Sequence, residues 1–169
     1  MEILLASDHA GFECKNNIYS WLHDTEKIDL GFKASLYEKT LHNMYNTNNK
    51  FSDFTVRDLG CKGTNSVDYP DFANKVCGEM LGNVQHIGIL VCGTGIGMCM
   101  AANKFYHIRA ALCHNVHTAS MTRKHNNANV LCLGARTLES DQIIPIVETF
   151  LTTRFEEGRH HQRIDKFSR

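Results

Sequence analysis

The sequence predicts an α/β fold, a parallel sheet covered by helices on both faces. Two observations carry this reading. Apolar runs of strand length recur at 2–6, 54–58, 87–92, 108–113 and 130–134. Amphipathic or capped stretches of helix length lie between them, the rhythm of strand–helix–strand crossovers. At 169 residues the chain suits one domain, long enough to bury about two-thirds of its unfolded surface.

In chain order, the first strand (2–6) runs through SDHAG (7–11) into a helix over 11–23. Residues 24–53, with asparagines clustered in HNMYNTNNK, exceed the short link that a helix and a strand usually need. They read as an insertion within a single 1–169 domain, where Tyr37, Leu41, Met44 and Tyr45 could share one face of a short helix. Strand 54–58 leads to a helix over 70–81, which Pro70 can start because the first turn needs no backbone donor. Strand 87–92 ends at Cys92 and opens through Gly93, Gly95 and Gly97 into a helix over 97–104. Strand 108–113, a helix over 115–124 and strand 130–134 follow, and helices over 141–152 and 159–167 close the chain. Pro145 removes an internal bond if its helix begins near Ser140, so a late start or a kink is expected.

Composition narrows the function. Eighteen basic and eighteen acidic residues balance, so bulk electrostatics points to neither nucleic acid nor an anionic membrane. The opening MEILLASDHAG is too short and polar for a signal peptide, and no apolar run approaches membrane-spanning length. Seven cysteines, an odd number with no Cys-x-x-Cys pair, read as the free thiols of a cytoplasmic protein. Most should be small core residues, among them Cys77, Cys99 and Cys132 inside elements.

Parallel sheets bind ligands beyond the carboxyl ends of their strands. Here that rule selects the loops at 7–11, 60–68, 93–97, 114 onward and 135–137. The turn of Gly93, Gly95 and Gly97 could gather backbone N–H groups on an anion, or simply be a tight turn. A dinucleotide fingerprint needs glycine three residues after Gly95, where Met98 stands, and the Gly-Lys-Ser/Thr of a P-loop is absent. Cys92 is the thiol at this edge, just before a helix N-terminus, a setting that favours a thiolate able to act as base or nucleophile. Asp8 and His9 follow the first strand at the same edge, although Asp8 can equally cap the next helix. His125 and Asn126 close a helix, where a lone histidine is often only a dipole partner. Arg159 and Arg163, four apart, can grip one anion or form a solvated basic end. For zinc, His114, His117 and His125 lack a completing cysteine or acid, so no metal is expected.

These residues fall in blocks that resemble the ribose-5-phosphate isomerase B family, which includes the galactose-6-phosphate isomerase subunits. The blocks are SDHAG (7–11), DYPDFA (68–73), GILVCGTGIGMCMAANK (88–104), IRAAL (108–112), RKHNNANVLCLGAR (123–136) and FEEGRHHQR (155–163). The resemblance implies a three-layer αβα sandwich on a Rossmann-like five-stranded parallel sheet. It also implies a homodimer or dimer of dimers with shared active sites, a C-terminal helix exchanged at the dimer interface, a sugar-phosphate substrate and no cofactor. It makes Cys92 the base that moves a proton between C1 and C2, supported by Thr94, and His125 the acid that opens the furanose. Asn126 and the amides of Gly93, Gly95, Ile96 and Gly97 would hold the enediolate oxygens. Asp8 and Tyr69 would contact hydroxyls, and His9, Arg136, Arg159 and Arg163 the phosphate, the last two reaching across the dimer. Some members take their base from a glutamate four residues after Cys92, but Ile96 stands here, so the thiol form fits. Glu157-Gly158 replaces a usual glycine pair, and Cys99 a common serine. Isomerisation of ribose 5-phosphate leads. A six-carbon substrate such as allose 6-phosphate or galactose 6-phosphate, a non-catalytic sugar-phosphate sensor and a thiol redox protein are the competitors.

Overall fold

A computed structural model describes residues 2–23, 54–83 and 85–167; the insertion at 24–53 lies outside the described residues. Five strands form one all-parallel sheet: β1 (Glu2–Ser7), β2 (Thr55–Asp58), β3 (Ile87–Cys92), β4 (Ala110–Leu112) and β5 (Val130–Gly134), in the order β2-β1-β3-β5-β4. The helices are α1 (Phe12–His23), α2 (Tyr69–Glu79), α3 (Ile96–Ala102), α4 (Val116–Asn126), α5 (Ser140–Thr152) and α6 (Arg159–Ile164), with a 3₁₀ turn at Met80–Gly82.

Side chains of β1, β3 and β5 leave the sheet alternately, so each strand feeds two cores. Ile3, Leu5, Ile89, Val91, Leu131 and Leu133 pack with Ile18 of α1, Ala119 of α4 and Ile146 and Phe150 of α5. On the other face Leu4, Ala6, Leu90 and Cys132 meet Phe72 and Val76 of α2 and Met98 and Ala102 of α3. Strands buried on both faces explain the continuous apolar runs, and the three-layer sandwich is as expected.

The differences are local and have side-chain causes. β4 is shorter than 108–113 because the Arg109 amide turns to Asn129 Oδ1 (2.7 Å) and the Ile108 amide to the Phe105 carbonyl (3.0 Å). α3 stops at Ala102 because Asn103 folds back on β4. Its Nδ2 donates to the Ala110 carbonyl (2.9 Å) and its Oδ1 accepts the Ala110 N–H (3.0 Å). The late start expected at Pro145 is not found. α5 begins at Ser140 and contains Pro145 at an exposed position, where the carbonyl left without a donor can bond water. Its first turn is closed by the Glu139 N–H donating to Gln142 Oε1 (3.0 Å).

One buried ion pair ties α1 to β2. Lys15, 1% exposed, donates to Asp58, which keeps 32% exposure and also accepts the Gly60 N–H at 2.9 Å. The two partners therefore differ in what they leave behind. Asp58→Asn leaves a buried ammonium without its counter-charge and should cost about 3–5 kcal/mol, whereas Lys15→Met leaves a partly exposed, still bonded carboxylate and should cost about 1–2 kcal/mol. Urea unfolding midpoints of the two variants give the order.

Candidate active site

The chain direction reverses across the sheet between β1 and β3. α1 carries the chain from β1 to β2 on one side, and the next crossover returns it to β3 on the other. A crevice at the carboxyl ends of β1 and β3 follows from that switch. Ser7 pairs with Val91, and the Asp8 N–H donates to the Val91 carbonyl (3.1 Å), so Asp8 and Cys92 end adjacent strands side by side.

Cys92 is 5% exposed, and its Sγ accepts the Gly95 N–H at 3.1 Å. A backbone donor aimed at sulfur stabilises charge there. Gly95 must be glycine: its φ is +75°, and a Cβ would lie 2.8 Å from the Leu133 carbonyl carbon. The Ile96 N–H donates to Thr94 Oγ1 (3.4 Å). Three neighbours clamp this turn. The Thr94 backbone lies where a Cβ on Gly134 would sit, at 2.6 Å, the Tyr69 ring lies 2.6 Å from a Cβ on Gly97, and Arg136 passes 3.5 Å from one on Gly93. The Arg136 N–H also donates to the Gly93 carbonyl (2.9 Å).

Asp8, 7% exposed, accepts the Gly11 N–H through Oδ1 at 3.0 Å, which closes the turn before α1 rather than capping the helix itself. His9 Nδ1 is held by the Val67 backbone, 3.2 Å from its N–H and 3.3 Å from its carbonyl oxygen, which leaves Nε2 free to face a ligand. Asp8, His9, Tyr69, Cys92, Thr94, Arg136 and the glycine turn thus share one edge.

A second thiol is more acidic than expected. A hydrogen bond from Cys132 lowers the Cys99 pKa to about 7, against burial, with the Leu112 backbone and Asn103 assisting. Cys99 is half-buried on α3, its Sγ 3.5 Å from the Ala110 carbonyl oxygen. Its partner Cys132 is fully buried and pushed up well above the usual thiol range by desolvation.

The remaining predicted residues lie elsewhere. α4 returns the chain to the amino edge before β5 begins, so His125 and Asn126 sit at the opposite end of the sheet from Cys92. Val130 pairs with Gly88 and Gly134 with Cys92, which separates the two edges by about 13 Å at 3.3 Å per residue. α6 packs there too: the rings of His125 and His160 stack with centroids 4.4 Å apart and planes 9° apart. Arg159 and Arg163 belong to the same short helix. Beside them a groove of about 410 Å³ is lined by Tyr106, Arg109, Thr122, Asn126, Ile164 and Phe167, among others. In one chain, then, Cys92 and His125 do not meet.

A family described as ribose/galactose isomerase matches residues 3–167. The chain belongs to the ribose/galactose isomerase family. Ribose-5-phosphate isomerase B of Escherichia coli is 40% identical over 110 residues, 65% of this chain and 74% of that one. The Clostridium thermocellum ribose-5-phosphate isomerase B structure matches with a TM-score of 0.81 at 36% identity, covering 99% of this chain and 95% of that one. The Mycoplasma genitalium isomerase, solved with bound ribulose-5-phosphate, matches with a TM-score of 0.76 at 38% identity, covering 99% and 93%. The parallel sandwich is the fold of this family.

Glu156 and His160, two members of the amino-edge cluster, escaped sequence reasoning. Glu156 Oε2 lies 3.7 Å from His125 Nε2 and 3.8 Å from His160 Nε2, and its N–H donates to the Lys124 carbonyl (3.0 Å). The spacing of Glu156 and His160, four residues, was the available signal. Glu157 has φ +58°, a conformation that costs about 1–2 kcal/mol for a residue with a Cβ.

Proposed function

We propose that this protein interconverts ribose 5-phosphate and ribulose 5-phosphate, with Cys92 as the base and with active sites that each take residues from two copies of the chain. The observation that carries the chemistry is the Cys92 sulfur held at the sheet's switch point, beside Asp8, by the Gly95 amide. Aldose–ketose isomerisation moves a carbon-bound proton, so it needs a positioned base and donors where the oxyanion forms.

The steps balance without a redox partner. His125 gives a proton to the ring oxygen as the anomeric hydroxyl gives one to water, which opens the furanose. The Cys92 thiolate then takes the C2 proton and charge moves to the C1 oxygen. Returning that proton to C1, with a proton passing from O2 to O1, yields the ketose. Because the Gly95 N–H serves the sulfur, Asn126 and the amides of Gly93, Thr94 and Gly97 are left for the enediolate oxygens. Thr94 Oγ1, holding the Ile96 amide, keeps the turn in shape. Asp8 and Tyr69 take hydroxyls. His9, through Nε2, and Arg136 meet the phosphate, whose binding energy positions the reacting carbons.

Two copies are needed because His125, Asn126, Arg159 and Arg163 lie at the amino edge of the sheet and Cys92 at its carboxyl edge, edges about 13 Å apart along the strands. A partner that brings its amino edge to this carboxyl edge completes the site. Support for self-association comes from Ile96 and Met100, one turn apart on α3 and 53% and 64% exposed, and from Tyr106, 83% exposed at the groove. Seven unpaired cysteines suit a reducing cytoplasmic setting. The test is a substrate panel: turnover should be fastest with ribose 5-phosphate. Preference for allose 6-phosphate or galactose 6-phosphate, or no turnover with any of the three, would overturn the assignment.

A further inference from the structure

Resting on the reading of His125 as the ring-opening acid, the cluster around it has a use of its own. We propose that Glu156 and His160 are positioning residues for His125: the carboxylate holds its proton, and the buried ring of His160 fixes its plane.

The geometry supplies three parts. Glu156 Oε2 faces Nε2 of both rings, at 3.7 and 3.8 Å, ion-pair separations longer than a direct hydrogen bond. The rings are nearly parallel, so His125 can turn only by breaking the stack. His160 is 5% exposed and its Nδ1 is buried without a partner, which leaves Nε2 as the protonated nitrogen facing the carboxylate. Glu156 is itself pinned by its backbone bond to Lys124 and by Lys124 Nζ at 3.7 Å from Oε1.

Burial and charge set the two rings apart. Burial lowers the His160 pKa, and the charges of His125, Arg159 and Arg163 lower it further, opposed by Glu156. A charged His160 is thereby disfavoured, and His125, 40% exposed, is the ring of the pair that a substrate can reach. The three donor atoms lie within 4.8 Å of one another and resemble a metal-binding set. Lys124, Arg159 and Arg163 crowd that point with positive charge, which opposes a divalent cation.

The test separates ring opening from proton transfer at carbon. Ribulose 5-phosphate has no furanose to open, so deuterium exchange into its C1 from heavy water reports enediolate formation alone. Glu156→Gln, at a residue 48% exposed, keeps shape and removes charge. It should lower kcat for ribose 5-phosphate about tenfold or more, a part of the roughly 10²–10⁴ that a positioned acid contributes, with KM and C1 exchange within about twofold of wild type. His160→Phe, which keeps a stacking ring without a titratable group, should retain kcat within about threefold. Unchanged kcat in Glu156→Gln, or equal loss in both assays, overturns the role of Glu156. A loss in His160→Phe as large as in Glu156→Gln overturns the neutral plate. His125→Ala is the control. If it too fails to separate the assays, the reading of His125 as acid has failed; if it alone separates them, only the positioning proposal has.

Discussion

Replacing Cys92 with alanine is expected to lower kcat/KM for ribose 5-phosphate by about 10³-fold or more, over 4 kcal/mol of transition-state stabilisation. The phosphate grip should survive, because His9 and Arg136 are held by their own bonds to Val67 and Gly93 rather than by the sulfur. The fold should survive as well: Cys92 is small, and the turn above it is clamped independently by Gly134, Tyr69 and Arg136. Competitive displacement by inorganic phosphate and the melting temperature therefore check that the loss is chemical. Cys99→Ser is the matched control. Cys99 has its pKa lowered to about 7, yet it bonds to Cys132 and the Ala110 carbonyl. Acidity without a place at the crevice does not make a base, and Cys99→Ser should keep activity within about twofold. A loss in Cys99→Ser equal to that in Cys92→Ala would move the chemistry to the other thiol.

The second large effect belongs to His125→Ala. A furanose opens slowly without an acid at its ring oxygen, so this variant should lose about 10²–10⁴ in kcat for the cyclic aldose. Deuterium exchange at C1 of ribulose 5-phosphate, which bypasses the ring, should fall by much less. Parallel losses in both would mean that His125 serves the enediolate or the phosphate instead.

Much of this was legible in the residues. Strands over 87–92 and 130–134 match β3 and β5 to the residue, because strands buried on both faces show as continuous apolar runs. β4 and α3 were overestimated because Asn129 and Asn103 stop them with side chains that bond residues 7 and 20 positions away, which periodicity cannot register. Glu156 was missed for the same reason, since its partners on α4 are distant in sequence. The split of the site was different in kind. A helix that follows a parallel strand returns to the amino edge, so the end of α4 had to lie far from Cys92 on topology alone. The resemblance grouped Cys92 and His125 in one site; the fold adds that one chain cannot bring them together.

That division permits a direct measurement. Cys92→Ala and His125→Ala chains, each nearly inactive alone, are co-expressed so that copies assort at random. In a dimer with two-fold symmetry, the mixed pair has one site carrying both defects and one site carrying neither. About half the dimers are mixed and half their sites intact, so roughly a quarter of wild-type activity should return. Activity no greater than the sum of the separate variants would contradict a site shared between two chains.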